Sequence, residues 1–171
     1  MSCIEAYNWE NRVWLIMPYM NLGKLTNLCL DRFSNKIRPF SEQSCKYLLY
    51  RVCHGLLAFH KRNMLHRDIK SDNVFLTNDG DVKLADLGLS VFLSEEKQAR
   101  ETRCGTLGWM APELICGQPY AKSVDIWSLG ILAYECATFL PPFLNADKKQ
   151  TKLKILTDPV PKLPKYYSIE F

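Results

Sequence analysis

Apolar residues recur along the 171-residue chain with two different periods, and the places where one period gives way to the other divide it into elements. Between Ile4 and Met20, the run Val13, Trp14, Leu15, Ile16 and Met17 is rich in β-formers and follows a polar turn at Asn8 to Asn11, which predicts two strands joined as a hairpin. Asn21, Gly23 and Lys24 break that run. Leu25, Leu28, Cys29 and Phe33 then have helical spacing, so a short helix is expected to end before Pro39. Ser41, followed by Glu42 and Gln43, is an N-cap with an acid in the first turn. Behind it Cys45, Leu48, Leu49, Val52, Leu56, Phe59 and His60 share one face, which predicts the first long helix. Val74-Phe75-Leu76 and Val82-Lys83-Leu84 read as short strands about a turn at Asn78-Asp79-Gly80, a hairpin that brings Asp86 near Asn73.

From Leu89 to Met110 the chain is polar, irregular and rich in hydroxyls, as a mobile segment would be. A short helix is expected after Pro112. Ser123 to Thr138 is apolar almost throughout, which predicts a helix buried on most sides at the core of the domain. Pro141-Pro142 ends it, Asp147 to Leu156 fits one more amphipathic helix, and Pro159, Pro161 and Pro164 keep the following segment extended. The expected fold is mainly α with short β hairpins. No internal repeat occurs.

Composition narrows the class without changing this layout. The length suits one domain with a sizeable core. The formal net charge of +4 is small and the basic residues are scattered apart from short clusters such as Lys148-Lys149, so no nucleic-acid site is expected. Seven Cys without a Cys-x-x-Cys pair, several on apolar helical faces, point to packed free thiols and a reducing compartment. Met1 to Glu10 carries acids and no apolar signal-like stretch, and no apolar run is long enough to span a bilayer; a cytoplasmic protein without membrane insertion is the expectation.

The chemistry concentrates between His66 and Asn73, His-Arg-Asp-Ile-Lys-Ser-Asp-Asn. Phosphoryl transfer needs a carboxylate to orient the attacking hydroxyl, cations to offset phosphate charge, and oxygen ligands for magnesium. Asp68, Lys70 and Asn73 offer those three groups within six residues. Asp-Leu-Gly at Asp86 to Gly88, Ala-Pro-Glu at Ala111 to Glu113 and Asp-Ile-Trp-Ser-Leu-Gly at Asp125 to Gly130 follow in order, and with them the chain resembles a eukaryotic protein kinase. Together with Gly105-Thr106 and Trp109 to Glu113, the loop is most similar to the sterile-20 group of serine/threonine kinases. Lys70, two residues after Asp68, is the serine/threonine form of the loop, which implies Ser and Thr hydroxyls of proteins as acceptors.

The resemblance extends over nearly the whole chain and implies a partial kinase domain: residues 1–20 as the end of the small lobe and the hinge, residues 21–171 as an incomplete large lobe. Aligned to the family, Met1 falls just before the fourth small-lobe strand, and Tyr167 to Phe171 match the start of a further helix. A Gly-rich loop, the strand Lys that holds the nucleotide phosphates and its Glu partner are not among the 171 residues, so this polypeptide alone is expected to transfer phosphate at a negligible rate. The family also pairs Glu113 with a downstream Arg, without which Glu113 is expected to lack a partner.

Residue by residue, the resemblance implies ATP and magnesium as cofactors. Met17 stands as gatekeeper of the adenine pocket, the Pro18 carbonyl and Met20 amide at the hinge, and Phe75 beside the base. Asn73 and Asp86 chelate the metal, and Thr106 braces Asp68 and Lys70. Leu87 replaces the usual Phe after Asp86 and is expected to pack under the nucleotide. The segment from Leu89 to Met110 becomes the activation loop. Thr102 is its expected phosphorylation site, with an upstream activator implied, Arg67 as receiver of the phosphate, and Arg100 or Arg103 as alternatives; Ser94 and Thr106 are the rival sites. His66 is expected to be a packed structural residue, and His54 and His60 helix residues without metal-ligand companions. Asp125 is either an acid at a helix start or, as in the family, an acceptor for the backbone of the catalytic loop, the second being preferred. Two other readings stay open: a kinase-like binding or scaffold protein without chemistry, and the product of a non-functional gene fragment.

Overall fold

The structure, a computed structural model, describes residues 3–29, 40–94, 96 and 98–168. Phe33, Pro39 and the expected helix start at 169–171 therefore lie outside the described residues.

Strands β1 (Glu5–Trp9) and β2 (Arg12–Ile16) pair antiparallel, Glu5 opposite Ile16 and Trp9 opposite Arg12. Glu10 and Asn11 between them have φ of 49° and 58°, the two left-handed residues of a two-residue hairpin turn that matches strand twist. β3 (Gly23–Lys24) leads into α1 (Leu25–Cys29), and α2 (Glu42–Lys61) follows, its Ser44 amide capped by the Ser41 hydroxyl at 3.2 Å. Antiparallel β5 (Val74–Leu76) and β6 (Val82–Leu84) form the second hairpin, and β3 extends their sheet along β5. Three helices follow among the described residues: α3 (Pro112–Cys116), α4 (Ser123–Thr138) and α5 (Lys148–Thr157).

The main core lies where α2, α4 and the β5–β6 hairpin meet. Cys45, Leu48, Val52 and Leu56 of α2 pack there with Val82, Leu84, Leu132, Cys136 and Ala137. Each large apolar side chain so buried contributes roughly 1.5–3 kcal/mol. A second cluster of Leu65, Ala111, Leu114, Tyr120 and Val124 sits under the segment that precedes α3.

Two expectations need correction. The polar segment between Leu89 and Met110 is not wholly irregular: β7 (Val91–Phe92) pairs with β4 (Met64–Leu65), Arg100 bridges to Tyr120, and Leu107–Trp109 form a 3-10 turn. Such pairings join residues far apart in sequence and leave no periodicity to read. α4 ends at Thr138, the expected bound, but the residue that closes it is Phe139 and not Pro141: its φ of 69° is left-handed and its amide bonds the Glu135 carbonyl.

Candidate active site

The loop from His66 to Asn73 is built around a carboxylate that belongs to another element. Asp125, in the first turn of α4, is fully buried; its Oδ2 accepts from the His66 amide at 2.9 Å and its Oδ1 from the Arg67 amide at 2.8 Å. His60 Nε2, near the end of α2, is 2.8 Å from Oδ2. These bonds hold Arg67 at φ 69°, a left-handed conformation that costs a non-glycine residue on the order of 1 kcal/mol. The turn aims the next residue, Asp68, inward. His66 itself is fully buried, its Nε2 3.1 Å from the Ala85 carbonyl, and burial holds its imidazole below the usual pKa.

Asp68 is 8% exposed, and both of its oxygens are engaged. Oδ1 accepts from the Thr106 amide at 3.0 Å and the Thr106 hydroxyl at 2.7 Å; Oδ2 lies 2.8 Å from both Asn73 Nδ2 and Lys70 Nζ. Lys70 Nζ also donates to Thr106 Oγ1 at 2.6 Å, which closes a ring of three side chains. Burial alone would raise the Asp68 pKa, but the bonds from Lys70, Thr106 and Asn73 and the Lys70 charge outweigh it and hold the carboxyl below its ordinary value. Thr106 reaches this position because Gly105, at φ 105°, lets two backbones approach closely: a Cβ there would meet the Arg67 carbonyl oxygen at 2.7 Å.

A cleft of about 470 Å³ opens beside Asp68, lined by Leu15, Met17, Pro18, Tyr19, Met20, Lys24, Asp72, Asn73, Phe75, Ala85 and Asp86. All four residues assigned to the adenine pocket and both assigned to the metal thus face one space. The Ala85 amide donates to the Asn73 carbonyl at 2.9 Å, the contact by which the β5–β6 hairpin brings Asp86 to Asn73. Asn73 Nδ2 spends its donors on the carbonyl and carboxylate of Asp68, leaving Oδ1 as the atom able to ligate a cation. One carboxylate and one amide oxygen suit magnesium, which binds through one or two protein oxygens plus phosphates and water. No cluster of three His, Cys, Asp or Glu able to hold a metal occurs among the described residues.

Other expected residues are placed differently. Leu87 is 45% exposed and not packed under the cleft. Glu113 accepts from the Ser123 hydroxyl at 3.2 Å but has no basic side chain against it among the described residues; it is only half-buried, so its charge is not sealed from water. Thr102 is exposed, and Arg67 does not reach its side chain: Arg67 donates from Nε to the Leu89 carbonyl at 2.6 Å and from Nη1 to the Tyr120 hydroxyl at 3.0 Å. Arg100 donates to the Phe92 carbonyl and Arg103 to the Cys116 carbonyl.

Two residues of the site left no motif in the sequence. Glu135 of α4 is 5% exposed and accepts from the Ser71 amide at 3.3 Å, the Ser71 hydroxyl and Trp109 Nε1 at 2.9 Å, joining the catalytic loop to the segment after Thr106. Burial pushes its pKa up. Tyr120 is the other. A charged residue inside the apolar run of α4 was the one available signal for Glu135.

The protein kinase domain family model matches residues 1–170. Serine/threonine-protein kinase pakB of Dictyostelium discoideum is 42% identical over 160 residues, 94% of this chain and 18% of that protein. Serine/threonine-protein kinase CLA4 of Eremothecium gossypii is 37% identical over 175 residues, 99% of this chain and 22% of that protein. Serine/threonine-protein kinase SKM1 of Saccharomyces cerevisiae is 39% identical over 169 residues, 95% and 26%. The chain thus spans about a fifth of the length of these relatives. No helix among the described residues is long and apolar enough to cross a membrane.

Proposed function

The chain belongs to the protein kinase domain family, and from that premise we propose that it carries the phosphoryl-transfer site of a sterile-20-type kinase acting on Ser and Thr hydroxyls of proteins with magnesium ATP. The observation that carries this reading is the ring of Asp68, Lys70 and Thr106 beside the Asn73–Asp86 cleft. Asp68, kept ionised by its donors, orients the acceptor hydroxyl and takes up its proton. Lys70, 2.8 Å away, sets a positive charge beside the path of the phosphoryl group. Thr106 holds both in one geometry. Asp86 and Asn73 Oδ1 would hold magnesium, which when bound would neutralise charge at the phosphates. Met17, the Pro18 carbonyl, Met20 and Phe75 form the adenine side of the cleft, proline keeping the acceptor that the base requires.

In the full-length protein, Asp86→Ala is expected to abolish magnesium-dependent nucleotide binding and turnover together, whereas Asp68→Asn spares binding and removes turnover. Titration calorimetry with ATP and magnesium, paired with a phosphorylation assay, separates the two; equal loss of affinity in both variants refutes this division of roles. Thr102 is the regulatory phosphorylation site in this reading. Its exposed side chain is open to an activating kinase, and a phosphate there adds about −1.5 to −2 charges near the N–H groups of Arg67 that Leu89 and Tyr120 leave open. Mass spectrometry of the active protein should find that phosphate, and full activity in Thr102→Ala would sink the assignment.

A further inference from the structure

Tyr120 is 3% exposed in a cluster with Leu65, Leu114 and Val124, a place where packing alone would be served as well by Phe. Its hydroxyl is nevertheless engaged on both sides, accepting from Arg67 Nη1 at 3.0 Å and donating to the Thr102 carbonyl at 2.7 Å. Its backbone exchanges two hydrogen bonds with Arg100, each 2.9 Å. One residue of the loop between α3 and α4 therefore grips the segment that carries Thr106 and, through Arg67, the turn that carries Asp68. That segment has little slack: Gly105 lies against the Arg67 carbonyl, and the Thr106 hydroxyl is 2.7 Å from Asp68.

We propose that Tyr120 is a positioning residue for phosphoryl transfer, its hydroxyl coupling Arg67 to the Thr102 carbonyl and so seating Thr106 against Asp68 while Thr102 carries no phosphate. This deepens the kinase reading and rests on it. A guanidinium has five N–H groups, of which the Leu89 carbonyl and the Tyr120 hydroxyl take two. A phosphate on Thr102 can engage others without displacing the phenol. Phenol and phosphate thus hold the same segment in parallel, and each matters most when the other is absent. A side chain that only filled the core would matter equally in both forms.

The test compares wild type with Tyr120→Phe in the full-length protein, each phosphatase-treated and each phosphorylated at Thr102. Loss of a hydrogen bond to a charged group predicts a fall in kcat of about tenfold in the unphosphorylated form and under about threefold in the phosphorylated form, with KM for ATP unchanged. Equal falls in both forms, or none, overturn the proposal. Amide hydrogen exchange in the same proteins, read without substrate, should quicken over 100–106 and stay unchanged over α2. Exchange that stays unchanged over 100–106, or rises equally over both, overturns the coupling whatever the turnover. If wild type shows no Asp68-dependent turnover, the kinase reading fails, while quicker exchange confined to 100–106 still supports the coupling.

Discussion

Replacing Asp125 should unfold the catalytic loop before it touches any reacting atom. In Asp125→Ala the amides of His66 and Arg67 lose their carboxylate acceptor and His60 Nε2 loses its contact with it. Each buried backbone donor left without a partner costs about 1–3 kcal/mol and the His60 ring nitrogen loses one more hydrogen bond, so the net loss is about 3–5 kcal/mol after relief of the carboxylate's own desolvation. For a chain of this size each kcal/mol lowers Tm by about 2–4 °C, which gives a fall of roughly 6–20 °C. Asp125→Asn should fall between, because its single amide oxygen serves one of the two backbone amides and its NH2 confronts the other. Thermal melts followed by circular dichroism measure this directly. Freed from Asp125, Arg67 would leave its left-handed conformation and carry Asp68 away from Thr106, so turnover of the full-length protein should fall with stability. An alanine variant melting within about 2 °C of wild type, or an asparagine variant as stable as wild type, would refute the argument that these bonds hold the loop.

Glu135→Ala should cost about 2–4 kcal/mol by orphaning the Ser71 amide and Trp109 Nε1, whereas Glu135→Gln should stay within about 1 kcal/mol at neutral pH, since the amide oxygen keeps both bonds and the Ser71 hydroxyl can rotate to accept. Because burial raises the folded-state pKa of Glu135, its contribution favours folding at low pH and is lost as pH rises through that raised value; urea melts across pH should show this in wild type and not in the Gln variant. Asp68 has the opposite sign. Its lowered folded-state pKa stabilises the protein above the ordinary Asp value of about 3.9, and that contribution disappears as pH falls through the folded-state value. Lys70→Ala removes the strongest lowering bond and leaves burial less opposed, so the Asp68 carboxyl should titrate higher in the variant; a carbon NMR titration showing no upward movement contradicts this.

Much of the layout was legible because it is local. The face of α2 with Cys45, Leu48, Val52 and Leu56, the Ser41 cap and the bounds Ser123–Thr138 of α4 follow from spacing and composition within one turn or one helix. The grouping of Asp68, Lys70 and Asn73 was legible for the same reason, since a tight loop keeps residues five apart within reach. Leu87 was misjudged because whether an apolar side chain is covered depends on what packs over it, which the residue type does not state.

What the sequence determined by itself, then, was which segments form helices and strands and which short stretch bears the polar chemistry, because both are set by neighbours along the chain. What fixes that chemistry in place is decided by tertiary structure; spacing and composition were silent on it, the resemblance alone pointed to Asp125 and Thr106, and nothing pointed to Glu135. Asp125 lies 58 residues beyond Arg67 in the numbering, Thr106 38 beyond Asp68, and Glu135 64 beyond Ser71, yet each carboxylate or hydroxyl closes on its partner to within hydrogen-bond distance. Hydrogen bonds between such remote groups leave no periodic trace, because their geometry comes from the packing of α4 against α2 and from the bend at Gly105.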